Sequence, residues 1–173
     1  MAIDPDTYYG TVAAADTYFE NRLHQSDWAV ALVENKDKAL LAATRDVDRL
    51  SFAGVKTTVF DLLAANPDAT DEEIAAADAS QLLQFPRDGE DTVPENILLA
   101  VYEIADQRLR GRDPDQEQEN LRISSGGVGS TRTSINIAGG ANAHLSNGIV
   151  SFTAWRYLLP FLDSNSSFDI ERV

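Results

Sequence analysis

Cysteine is missing from this sequence, which excludes disulfide scaffolds, thiolate zinc sites and cysteine nucleophiles and suits a reducing compartment. Histidine is nearly as scarce, with His24 and His144 the only two. No apolar run approaches the roughly 18 residues that suggest a membrane span. The stretch Met1 to Gly10 has neither the basic nor the apolar segment of a signal peptide, so the expectation is a protein without a membrane anchor. Basic residues are few: 14 Lys and Arg stand against 28 Asp and Glu, a formal charge of −14. That balance opposes wrapping around a phosphate backbone, which needs concentrated positive charge. A chain of 173 residues is long enough to bury a core without a cross-link or a metal, since roughly 70% of the unfolded surface is removed from water at such a length.

The charge is unevenly spread. Residues 1–120 hold 25 acidic and 10 basic side chains, a net of −15, whereas 121–173 hold three acidic and four basic, a net of +1. Between Ile123 and Thr153 there is no carboxylate, and six of the ten glycines fall there. We read an acidic helical body, an uncharged Gly- and Ser-rich arm, and a short apolar end.

Helical spacing recurs through the body. Thr11 is placed to cap a first helix bearing Tyr18, Phe19 and Leu23. Asn35 is placed to cap a second that runs to about Leu50, with Leu40, Ala43, Val47 and Leu50 on one stripe. Thr57 to Ala64 predicts a shorter helix before the Asn66-Pro67-Asp68 turn. Thr70 and Glu73 form a capping-box pattern at the head of an Ala-rich helix. Phe85 to Gly89 breaks the pattern. Pro94 suits a first helical position, Leu98, Val101, Tyr102, Ala105 and Leu109 line a face, and Gly111 and Pro114 end it. Ser130 to Ile137 is rich in β-branched residues and predicts a strand or hairpin arm. Trp155 to Leu162 predicts a short amphipathic helix capped by Thr153 and ended near Pro160.

Chemistry-bearing motifs are weak. The two histidines have no ligand cluster or orienting carboxylate in sequence, and we read them as surface or helix-end residues. Gly126 to Thr131 superficially suggests a phosphate loop, but no lysine follows and the next stretch is strand-like, so a hinge is the reading. Asp113 to Glu119 spaces oxygens like a calcium loop. Gln118 and Ser124 stand where the loop needs Gly and Glu, which leaves a solvated acidic linker. No cofactor, no metal and no catalytic residue is expected, and the chain is not read as an enzyme. Trp155, Tyr157, Leu158, Leu159, Phe161 and Leu162 concentrate large side chains after the arm. They either pack back on the body's own core or dock in a partner's groove.

Several segments together resemble one family. They are Thr11-Val-Ala-Ala-Ala-Asp-Thr-Tyr-Phe19, Ala39-Leu-Leu-Ala-Ala-Thr-Arg-Asp-Val-Asp-Arg-Leu50 and Gln81-Leu-Leu-Gln-Phe-Pro-Arg-Asp-Gly89. Val93-Pro-Glu-Asn-Ile97 follows, leading to Leu109-Arg-Gly-Arg-Asp-Pro114. This pattern is similar to the head-to-tail adaptor (head-completion, or connector) proteins of tailed bacteriophages, some of which carry the label DnaT-like single-stranded-DNA-binding protein. The resemblance covers about residues 8–114 and, more loosely, Trp155 to Leu162. The stretch Val55 to Ser80 is longer than the usual connection, and 123–150 has no clear counterpart. The resemblance implies a virion protein at the head–tail junction, made in the host cytoplasm. It further implies a homo-oligomeric ring, typically twelve-fold, beneath the portal protein and above a tail or nozzle protein. Duplex DNA would leave through its channel, and an acidic lining disfavours adhesion.

The expected fold is therefore mainly α: a small helical bundle with an extended or β-hairpin C-terminal arm and a short terminal helix. Its expected parts are an acidic bundle over 1–114, a flexible arm over 115–153, and a docking helix with tail over 154–173. Arg132, Ile135, Ile137 and Ile149 are the expected arm contacts to a neighbour or the tail. The alternative function is a single-stranded-DNA-binding accessory protein, which would require a basic groove with stacking aromatics.

Overall fold

The computed structural model describes residues 7–23, 26–122, 125–128, 131–134 and 143–163. Among these are nine α-helices and one β-hairpin: α1 (Val12–Glu20), α2 (Ser26–Val30), α3 (Val33–Asp48), α4 (Thr57–Ala65), α5 (Asp71–Ser80), α6 (Glu95–Leu109), α7 (Pro114–Arg122), β1 (Ser125–Val128), β2 (Thr131–Ser134), α8 (Ala143–Ser146) and α9 (Phe152–Leu158). A 3₁₀ turn, Leu159–Phe161, continues α9. The fold is mainly helical, as the apolar spacing predicts.

The bundle is built around α6. Its Ile97, Ala100, Val101, Ile104 and Ala105 are fully enclosed, more than one stripe of a helix can supply, because α3 covers one side and α9 another. On α3, the enclosed residues Leu40, Ala43 and Val47 recur at steps of three and four and face α6. Alanines on both helices let the backbones approach. Each fully buried Leu or Ile contributes about 1.5–3 kcal/mol relative to exposure. Tyr8, Tyr9, Phe19 and Trp28, from the N-terminal segment and α1–α2, close the remaining side of the same core.

Several helix ends differ from the sequence expectation. Helix α3 begins at Val33, not after Asn35: Leu32 is extended, and its carbonyl accepts from Asn35 and Lys36 at 2.9 and 3.0 Å. Pro94 is the N-cap of α6 rather than its first helical residue, its carbonyl accepting from Ile97 and Leu98. Ser151, not Thr153, caps α9, its hydroxyl accepting from Ala154 N–H at 3.2 Å. The acidic stretch read as a solvated linker is helix α7. Asp113 accepts from the amides of Asp115 and Glu117, and acidic residues in the first turn favour the positive end of the helix dipole. Thr11 and the Thr70–Glu73 capping box stand as the sequence predicts.

Two appendages leave the bundle. Helices α4 and α5 pack chiefly on each other, and no residue of either belongs to the main core; α5 buries none of its residues. Lys56 closes the base of this helical hairpin by donating to the carbonyls of Asp78 and Gln81 at 3.0 and 3.1 Å. The turn beyond it, with a cis Phe85–Pro86 bond, is held by Arg87, which donates to the carbonyls of Phe52, Ala53 and Gly54. The second appendage is the antiparallel pair β1–β2, whose register sets Val128 opposite Thr131 across a two-residue connection. The strands' main tertiary partners are each other.

Candidate interaction surface

Helix α9 divides its large side chains between two faces. Ala154, Trp155 and Leu158 are buried and join the main core, while Tyr157, Phe161 and Leu162 are half-buried against it. Phe161 meets Phe85 edge-on at 5.8 Å between ring centres. Of the six residues read from the sequence as either docking or self-packing, these five therefore pack on this chain. Leu159 is the exception, half-exposed, and it does not stand alone. Phe152 is exposed on the same helix seven positions earlier, and the exposed Arg156 lies between them. Positions i, i+4 and i+7 share one face of a helix. Sequence reasoning misses Phe152 because it places the cap at Thr153, one residue inside the helix. Taking Ser151 instead brings Phe152 into the helix and onto the outward stripe.

Of the four residues expected to form arm contacts, two are described, Arg132 and Ile149. Arg132 lies in β2, opposite Gly127 of β1. Ile135 and Ile137 lie outside the described residues, as does His24. Ile149 is a correction: it is fully enclosed in this chain's own core, and Val150 and Ser151 after it are buried. The cause is local. Helix α8 ends in a Schellman cap with Gly148 at φ +77°, where Gly148 N–H donates to Leu145 and Ile149 N–H to His144 at 2.9 and 2.8 Å. That turn points the chain inward, so the stretch expected to be arm up to residue 153 rejoins the bundle before Ile149.

Electrostatics in the bundle is dominated by carboxylates facing arginines and tyrosines. Arg108 on α6 reaches the buried Asp46 on α3, and Arg110 reaches the buried Asp106 at 2.9 Å. Glu103 accepts from the Tyr18 hydroxyl and pairs with Arg22. Burial pushes the Tyr18 phenol up to about 12, against the opposing pull of Arg22. Burial also raises Asp46, Asp48 and Asp106 above the usual carboxylate range, even though hydrogen-bonded or cationic partners oppose it. His144 stacks edge-on against Phe152 at 5.5 Å, and burial lowers its pKa.

Two clefts on the described surface each contain a cation that is already engaged within this chain. One, about 220 Å³, is lined by Phe85, Arg87, Pro94 and Phe161, and its arginine is bound to main-chain carbonyls. The other, about 260 Å³, is lined by Asp16, Trp28 and Lys36, where Asp16 accepts from both Lys36 and Trp28 at 2.7 Å. Among the described residues no group of three His, Cys, Asp or Glu is placed to hold a metal ion, and no helix is long and apolar enough to cross a membrane. Compared with family models, curated proteins and solved structures, the chain finds no match.

Proposed function

We propose that this chain is a structural head-to-tail adaptor of a tailed phage. It would form a ring under the portal that joins the DNA-filled capsid to the tail and surrounds the DNA exit channel. One observation supports the reading beyond the sequence resemblance: the acidic bundle bears a carboxylate-free hairpin whose two strands have each other as their main partners. Such a hairpin brings no carboxylate to a contact, and its one charged residue, Arg132, can meet a carboxylate of the neighbour. The α9 stripe of Phe152, Arg156 and Leu159 offers a second contact, toward portal or neighbour. The negative bundle around it favours passage of DNA over adhesion.

The single-stranded-DNA reading has less support. A nucleic-acid groove needs cations free to meet phosphate, yet Arg22, Lys36, Lys38, Lys56, Arg108 and Arg110 each face a carboxylate of this chain. Oligonucleotide binding that weakens steeply with added salt would favour it nonetheless.

Electron microscopy of the purified protein, alone and with the portal protein of the same phage, tests the adaptor reading. Rings that stack coaxially on the portal are the expected result. The companion variant deletes 123–142 and stops there because Ile149 belongs to the core. It should remain helical and fail to join heads to tails. A wild-type chain that stays monomeric in both preparations overturns the proposal.

A further inference from the structure

The two appendages differ in electrostatic character. The α4–α5 hairpin and its connection, residues 57–80, carry Asp61, Asp68, Asp71, Glu72, Glu73 and Asp78 and no Lys or Arg, a net of −6. All six side chains are exposed, and among the described residues only Asp78 has a basic partner, Lys56. The β1–β2 hairpin sits in the stretch 121–153, which has no Asp or Glu and contains Arg122 and Arg132, a net of +2. Within one copy the two appendages do not share a principal contact: α4 and α5 pack on each other, as do β1 and β2.

We infer that the exposed face of the α4–α5 hairpin is the seat for the β1–β2 hairpin of a second copy, an inference that rests on the ring-forming reading above. The physical reason is the overall charge. Copies of a −14 chain repel, so an association that set α5 against α5 would oppose carboxylates to carboxylates. Contact between the carboxylate-rich appendage of one copy and the carboxylate-free appendage of the next avoids that. Such a contact joins two different surfaces, and repeated heterologous contacts close into rings when the rotation allows. A ten-residue helix with no buried residue is marginal alone, and the neighbour's hairpin would also cover α5.

A charge-swap experiment on the full chain tests this. Mass photometry over a concentration series reads assembly, and circular dichroism confirms that each variant is folded. Asp61→Lys with Asp68→Lys sets two cations on one surface and lowers its net charge from −6 to −2 without touching the capped first turn of α5; Arg132→Glu turns the one charge of the β1–β2 hairpin from positive to negative. Each reversal alone should raise the concentration needed for assembly about tenfold or more, as like charges are brought together. The chain carrying all three substitutions should recover assembly near the wild-type concentration. If the wild type forms rings and neither reversal moves its threshold, or if the combined variant recovers nothing, the seat is wrong and the ring reading stands. A wild type that never assembles, with or without portal, removes both.

Discussion

Arg108 and Asp46, 62 residues apart, form the principal ion pair between the two central helices: Nε and Nη2 of the arginine both reach Oδ2 of the aspartate, at 3.0 and 2.7 Å. Arg108 keeps a quarter of its side chain in solvent, whereas Asp46 is 5% exposed. The aspartate therefore bears most of the desolvation, and its own burial is what pushes its pKa up.

Removing the arginine alone should cost more than removing both partners. Arg108→Met leaves a buried carboxylate with only the distant Arg49, 3.8 Å away. A loss of about 3 kcal/mol is expected in urea unfolding at neutral pH. The double variant Arg108→Met/Asp46→Leu should regain much of it, since an apolar pair of similar volume leaves no unpaired charge. Equal stability of the single and double variants would show that the pair contributes nothing specific.

Asp106 sets a pH dependence whose sign follows from its surroundings. It is buried, Oδ1 has no hydrogen-bond partner among the described residues, and burial raises its pKa against the pull of Arg110. In the fold it keeps its proton to higher pH than in the unfolded chain. Stability from this group is thus fully present below the unfolded value, about 3.9, and is lost as pH rises through the folded one. Asp106→Asn cannot titrate, so its melting temperature should fall less than that of the wild type between mild acid and neutrality. Calorimetry at a series of pH values reads the two slopes, and parallel slopes would contradict the assignment.

Tyr9 is a buried junction rather than a packing residue alone. Its hydroxyl donates to Asp48 at 2.5 Å and accepts from Phe85 N–H at 3.0 Å, tying α3 to the cis-proline turn. Tyr9→Phe keeps the ring but strips a partner from both a half-buried carboxylate and a buried amide. About 2–3 kcal/mol of stability should be lost, more than a typical single hydrogen bond contributes. A loss under 0.5 kcal/mol, measured by chemical unfolding, would mean that water replaces the hydroxyl.

The two faces around α9 should separate stability from assembly. Ile149→Ala removes a fully buried side chain and should cost about 2–4 kcal/mol through the cavity it leaves. Phe152→Ser with Leu159→Ser alters the outward stripe and, within the chain, the edge-on contact of Phe152 with His144. It should shift the melting temperature little and weaken recruitment of the chain to portal-bearing heads in a co-sedimentation assay. Normal recruitment with both serines present would assign the stripe no part in docking.

Local signals in the sequence were sufficient for much of the bundle. The caps at Thr11 and Thr70, the three–four spacing of Leu40, Ala43 and Val47, and the stop at Gly111 are interactions within a turn or two of chain. They can be read without knowing what lies opposite. Segment charges were legible for the same reason, since composition does not depend on the fold. The acidic run after Asp113 misled because carboxylates that look solvated also favour a helix N-terminus.

What the sequence alone determined is which segments coil and where the charge lies; tertiary structure decided which side of each segment faces inward. Ile149 and Phe152 sit three positions apart with similar apolarity, yet one is enclosed and the other exposed. Their fates depend on the direction in which the α8 cap delivers the chain to α6. Arg108 likewise finds Asp46 only because α3 and α6 pack side by side. Burial and ion pairing across such distances are set by register between elements, and register is a property of the packed whole.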